Sequence, residues 1–194
     1  MIAKFKKQKN RGFTLIETLV AVMILASSIV GPLSIASRSL SNALVAKDQV
    51  TAFFLAQDAV EYVRYVRDTN RLLGADWILG TGGTASGIDL TTPCNTAQGC
   101  YLDTTAAVLG AGDIPTACNS STGCPLVNYD STNSRFTYAA VSTSPLITRS
   151  LFTRKITLTP ISATEQQLTV TVSWKDVGSV VRTVVVNENI FAWQ

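Results

Sequence analysis

One carboxylate in this chain stands where water is not expected. From Phe13 to Ile35, 23 residues carry a single charge, Glu17. A charge in hydrocarbon costs a few kcal/mol even on lenient insertion scales, and the side chains of residues 13–36 supply no partner. A cut between Gly12 and Phe13 would create one. The new α-ammonium of Phe13 would lie about one helical turn from Glu17, able to neutralise it within the chain or in a neighbouring chain. The cysteines Cys94, Cys100, Cys118 and Cys124 are the second set with bond-forming chemistry. Histidine is absent, which removes the commonest general base and the commonest zinc ligand together. No Ser-His-Asp, Cys-His, His-Glu-x-x-His, Walker or dinucleotide pattern occurs. No catalytic residue, metal or cofactor is therefore expected. Asp103, Asp113, Asp130 and Asp176 are scattered, and solvated loop acids describe them better than a calcium or sugar site.

These groups need elements to hold them. Residues 13–36 are long enough, at about 1.5 Å per helical residue, to cross a bilayer core. Lys4, Lys6, Lys7, Lys9 and Arg11 precede them and place that end in the cytoplasm, with everything after Arg38 outside. An ordinary signal peptide or uncleaved anchor is the plainer alternative, with small residues at Ala26-Ser27-Ser28 and Ala36-Ser37 for a periplasmic peptidase. It leaves unexplained an acid inside the apolar run and Gly12 at its polar boundary.

Lys9-Asn10-Arg11-Gly12-Phe13-Thr14-Leu15-Ile16-Glu17 resembles the class III signal of type IV prepilins and pseudopilins. The resemblance implies that a prepilin peptidase cuts after Gly12 and N-methylates Phe13, and that Glu17 pairs with another subunit's N-terminus during filament assembly. Removing the leader takes five of the 16 cations and leaves 11 against 13 acids, a side-chain sum of about −2. A nucleic-acid role then loses its compositional support.

A helix is expected from Phe13 to about Thr69, interrupted only by Gly31-Pro32. Pro32 cannot donate to the Ser28 carbonyl, so a kink or loosening is expected there, with Ser27 and Ser28 hydroxyls able to cover freed backbone groups. The resemblance implies partial unwinding at this proline in filaments. Beyond Arg38 the helix turns amphipathic, with Val50, Phe53, Ala56, Val60, Val63 and Val66 as an apolar stripe widened by Phe54, Leu55 and Ala59. Asp58, Glu61, Arg64, Arg67 and Asp68 lie opposite, Arg64 within pairing distance of Glu61 and Asp68. Gly74 is the expected helix end, Trp77 a packing anchor, and Gly80–Gly87 a linker without a phosphate-loop lysine.

Thr92-Pro93-Cys94-Asn95-Thr96-Ala97-Gln98-Gly99-Cys100 and Thr116-Ala117-Cys118-Asn119-Ser120-Ser121-Thr122-Gly123-Cys124 share Thr-x-Cys-Asn-x-x-x-Gly-Cys at an offset of 24. Equal gaps make Cys94–Cys100 and Cys118–Cys124 the simplest pairing of the three that four cysteines allow, stiffening exposed loops on the oxidising side. A four-cysteine metal site is the rival, with spacing and compartment against it. From Arg135, the runs 136–139, 152–158, 168–175 and 180–186 read as antiparallel strands. Leu168, Val170, Val172 and Trp174 face the helix, and Asp176-Val177-Gly178-Ser179 turns a hairpin. Trp174 and Ile190-Phe191-Ala192-Trp193 resemble the C-terminal strands of minor pilins of the pilus-modification type.

The expected fold is α+β, a long N-terminal helix packed through its second half on a C-terminal antiparallel sheet. The expected segments are leader 1–12, membrane or filament-core helix 13–36, amphipathic helix 37–73, linker and cysteine loops 74–134, and sheet 135–194. The resemblance implies a structural subunit, minor rather than major, of a type IV pilus or a type II secretion pseudopilus. Its implied partners are prepilin peptidase, membrane lipid before assembly, and other pilins through the N-terminal helix. A signal-anchored, monomeric, adhesin-like binding protein is the reading from a different class.

Overall fold

The computed structural model describes residues 12–81, 87–105, 115–176 and 178–192. The leader through Arg11, the middle of the glycine-rich linker, Asp113 and Trp193 lie outside the described residues. Helix α1 spans Leu15–Leu72 and the short α2 Thr91–Cys94. The strands are β1 (Cys100–Tyr101), β2 (Thr116–Ala117), β3 (Leu126–Asp130), β4 (Arg135–Thr137), β5 (Ile147–Ser162), β6 (Glu165–Lys175) and β7 (Val181–Phe191). The class is α+β as expected, a long helix apolar enough to cross a membrane followed by an antiparallel sheet.

The chain divides into two compact units, Met1–Ala46 and Lys47–Gln194, and the division falls inside α1. It lies later than the compositional change at residue 37. In the first unit every residue from Gly12 through Leu44 is exposed, so its apolar side chains have no core of their own. In the second unit the same helix carries a buried face.

That face differs from the expected stripe. Ala52, Leu55, Ala56, Ala59, Val60, Val63 and Val66 are buried, whereas Val50, Phe53 and Phe54 are 55%, 46% and 63% exposed. Ala52, Ala56, Ala59, Val63 and Val66 recur at steps of three and four. With roughly 100° per residue, Phe53 falls about 100° and Phe54 about 200° from the line that starts at Ala52. Ala52, Ala56 and Ala59 on this line are each at 0% exposure.

β5 is the central strand. β6 pairs along one flank, through Ile156↔Val170 and Leu158↔Leu168. β3 and β1 follow one another along the other flank, through Leu126↔Thr153 and Cys100↔Ile156. Beyond them lie β4 and β2, and β7 closes the far margin beside β6. The sheet therefore recruits β1, β2 and β3 from the stretch expected to be linker and loops; β1 and β2, at two residues each, are too short to show a periodicity, and β3 buries only Val127 and Asp130, which sets no alternation. β5 also begins five residues before the expected Phe152. The alternation expected for β6 holds, with Leu168, Val170 and Val172 at 0% and Trp174 at 3% exposure.

α1 ends as expected at Gly74. Its φ of +69° suits a residue without Cβ, Ala75 N–H donates to Asn70 O at 2.9 Å, and Gly74 N–H to Arg71 O at 3.0 Å. This is the paired 6→1 and 5→2 closure of a Schellman motif. Asn70, buried at 0%, then sews the helix end to the returning chain. Its Oδ1 accepts Ile88 N–H at 2.9 Å, and its Nδ2 donates to Ile88 O at 2.9 Å and Trp77 O at 3.3 Å. Trp77 packs into the core at 5% exposure.

Asn70→Ala takes the side-chain partner from the partly buried Ile88 amide and carbonyl and from the Trp77 carbonyl. The expected loss of unfolding free energy is about 2–3 kcal/mol. Denaturant titration of the full chain in detergent micelles, followed by fluorescence of buried Trp77 and Trp174, measures it.

Candidate functional site

The residues singled out for processing and assembly lie together at the start of α1. Gly12 and Phe13 precede the helix, and Phe13 is 79% exposed. Thr14 caps it: its Oγ1 accepts the Glu17 amide at 3.3 Å and its carbonyl the Thr18 amide at 3.2 Å. The helix thus begins at Leu15, two residues after the expected start. Thr14-Leu15-Ile16-Glu17 has the spacing of a capping box, the signal that would have placed this boundary. Glu17 sits in the first turn, where the positive end of the helix dipole favours a carboxylate. Among the described residues it makes no ion pair. The arrangement leaves an acid four residues from a backbone nitrogen that peptide cleavage would turn into a cation.

α1 runs unbroken through Pro32. Ser27 Oγ donates to Ile24 O at 2.9 Å and Ser28 Oγ to Leu25 O at 2.8 Å. The hydroxyls thus take carbonyls earlier in the helix, not the Ser28 carbonyl that Pro32 leaves without a donor.

The cysteines pair locally, Cys94 with Cys100 and Cys118 with Cys124, with Cα–Cα distances of 4.6 and 4.4 Å. Their setting differs from the exposed loops expected. Cys94 and Cys100 are both at 0% exposure and belong to the head's core, while Cys118 is at 5%. The repeat has a geometric cause at its glycines, since Gly99 and Gly123 hold φ of +67° and +76°. Each precedes the closing cysteine and supplies the left-handed turn that brings it back to the first. The two loops are joined, with Cys100 opposite Ala117 and Cys118 N–H donating to Gly99 O at 2.9 Å.

Arg154 is a polar centre that the sequence reading missed. It occupies an inward position of β5 between Phe152 and Ile156 and is 2% exposed. Nη1 donates to Asp58 Oδ2 at 2.7 Å and Leu55 O at 3.1 Å, and Nη2 to Leu102 O at 2.9 Å. Thr104 Oγ1 adds a bond to the same Asp58 oxygen at 2.5 Å. One guanidinium therefore ties helix, loop and strand, using the planar fork that lysine lacks. The arginine's place in the 152–154–156–158 alternation was the available signal. On the helix's charged face, Arg64 bonds Glu61 and Glu188, whereas Asp68 accepts from Arg67 instead of the expected Arg64.

The loop acids are structural, not merely solvated. Asp103 accepts from Thr105 N and Oγ1, Thr137 Oγ1 and Tyr138 N at 2.7–3.0 Å. Burial opposes its ionisation, yet these bonds outweigh burial and hold its carboxyl below the ordinary aspartate range. Asp130 is lowered chiefly by the Asn133 side chain, and Asp176 chiefly by Arg182, each closing its own turn. The Asp176 turn joins β6 to β7 as expected, with Asp176 N–H bonded to Val180 O.

Residues 7–31 match the family model described as the prokaryotic N-terminal methylation motif, the type IV pilin and pseudopilin signature. The resemblance read from residues 9–17 is borne out over that segment. The motif indicates a structural protein that is processed by prepilin peptidase and assembles with other pilins. With the apolar helix, it fits a membrane-anchored chain whose N-terminus is inside. No curated protein and no solved structure matches significantly.

Two outcomes test the head's polar centres. Arg154→Met takes the guanidinium donor from the Leu102 carbonyl and the ion-pair partner from Asp58, and is expected to lower unfolding free energy by about 2–4 kcal/mol; denaturant titration measures the change. Because the folded pKa of Asp103 is depressed, its contribution is fully present above the unfolded value of about 3.9 and is lost as pH falls through the folded value. The stability gap between the parent chain and Asp103→Asn should therefore be widest near neutrality. It should narrow as titrations move from about pH 6 to about pH 3.

Proposed function

We propose that this chain is a minor structural subunit of a type IV pilus or closely related filament. Prepilin peptidase cuts it after Gly12 and methylates Phe13. Residues 13–36 then leave lipid and pack against neighbouring subunits' helices, exchanging one apolar environment for another. Glu17 takes up a Phe13 ammonium, its own or a neighbour's, and this pairing fixes the axial register, because neither charge is tolerable alone in an apolar core. Pro32 marks the point at which the helix loosens on assembly. The head, residues 47–194, is displayed on the extracytoplasmic side. The motif match over residues 7–31, with its acid inside the apolar run, carries this reading. The resemblance of Trp174 and the chain's last residues to minor pilins supports the minor assignment.

Mass spectrometry of the mature protein is expected to find N-methyl-Phe13 as the first residue. An intact Met1, or a start near Ser27 or Ser37, points instead to a signal-anchored monomer or a conventionally cleaved export signal. Glu17→Ala should leave cleavage intact and reduce filament incorporation by at least about tenfold, since an unpaired buried charge costs about 3–5 kcal/mol. Quantitative immunoblotting of sheared filaments reads this, and unchanged incorporation removes the pairing mechanism.

A further inference from the structure

β7 forms one margin of the sheet, and half of its backbone groups face away from β6. Two bonds at the ends of the hairpin show which half. Asp176 N–H donates to Val180 O at 3.0 Å, and Ala192 N–H to Thr164 O at 2.9 Å. The register between them is unbroken, so bonding to β6 falls to the even-numbered residues of β7. Val181, Thr183, Val185, Asn187 and Asn189 therefore aim N–H and C=O outward, without backbone partners among the described residues.

The opposite margin is blunted by strands of two and three residues, β2 and β4. β7 has 11 residues, no proline and no register shift. Its two charges do not guard it either, for Arg182 Nε is bonded to Asp176 Oδ2 and Glu188 Oε1 to Arg64 Nε, both at 2.9 Å. A long, unprotected edge is a template for another strand.

The geometry points to a second copy of this chain as the occupant, β7 against β7, antiparallel, with Val185 opposite Val185. In that register Arg182 lies opposite Glu188 of the second copy, twice over. Each crossing extends Asp176–Arg182 and Glu188–Arg64 into one row of alternating charge. Val184 meets Val186 on the core-facing side, where both already pack partly buried against the core, and Thr183 meets Asn187 on the outer side. All five outward residues gain a partner, forming roughly ten inter-strand bonds. A slip of two residues either way sets Arg182 against Val186 or Ile190 and loses the charge match.

The two-fold axis reverses the strand and, with it, residues 47–72 packed on the sheet. The pairing depends on the head alone, residues 47–194, and not on the filament reading.

The full chain in detergent micelles, examined by light scattering across a concentration series, should dimerise. Val185→Pro removes an outward N–H without touching the bonds to β6. It should raise the dimer dissociation constant by at least about tenfold while leaving the unfolding midpoint unchanged. Arg182→Glu and Glu188→Arg should each weaken self-association, and mixing the two single variants should restore a heterodimer. If Val185→Pro disturbs folding, the charge exchange decides alone. A chain that stays monomeric throughout, or a dimer indifferent to the charge changes and to a folded Val185→Pro, overturns the inference. The second result would put the contact elsewhere, as in the apolar segment. N-terminal mass is blind to this pairing, so failure of the filament reading and failure of the edge contact are separable.

Discussion

Burial of the second half of α1 against β5 and β6 is the contact on which the rest of the head depends. The sheet has one apolar face, built by Phe152, Ile156, Leu158, Leu168, Val170, Val172 and Trp174, all between 0% and 6% exposed. Without the helix that face would be open to water. Each large side chain contributes about 1.5–3 kcal/mol when fully buried, so no single polar contact in the head rivals the interface as a whole. The interface is fully buried along its alanines, and burial sets the demand on the polar groups inside. Arg154 and Asn70 are acceptable in the core because backbone carbonyls and amides lie within reach of their fixed geometry.

Much of this architecture can be read from patterns long enough to establish a period. The strict alternation from Leu168 to Trp174 marks β6, and the Asp176 turn marks the hairpin. Gly74 marks the end of the helix because only a residue tolerant of positive φ closes it cheaply. Where reading falls short, the reasons are physical. Val50, Phe53 and Phe54 look like core by size alone, but the interface is centred on Ala52, Ala56 and Ala59, and small residues announce themselves weakly. Strands of two residues such as β1 and β2 have no periodicity to detect. The cysteine loops carry them, β1 paired with β5 and β2 with β1.

The N-terminal segment was the most legible part, since a plain membrane anchor leaves unexplained a lone acid in 23 residues that carry no other charge. The structure adds that the acid lies in a capped first turn, with the Gly12–Phe13 peptide bond, the cleavage site we propose, just outside the helix. Chemistry at Gly12–Phe13 thus acts on backbone that makes no intrahelical bond, and the helix that follows is undisturbed by it. Electrostatics at one end of α1 and packing at the other are separate requirements met by one continuous element.

The position of the first disulfide has a consequence for maturation in time. Cys94 and Cys100 both end up fully buried in the closed head, out of reach of any enzyme that exchanges thiols. Such an enzyme can therefore reach this pair only while the head is open. A head that closes first would trap two reduced thiols, so oxidation belongs ahead of closure.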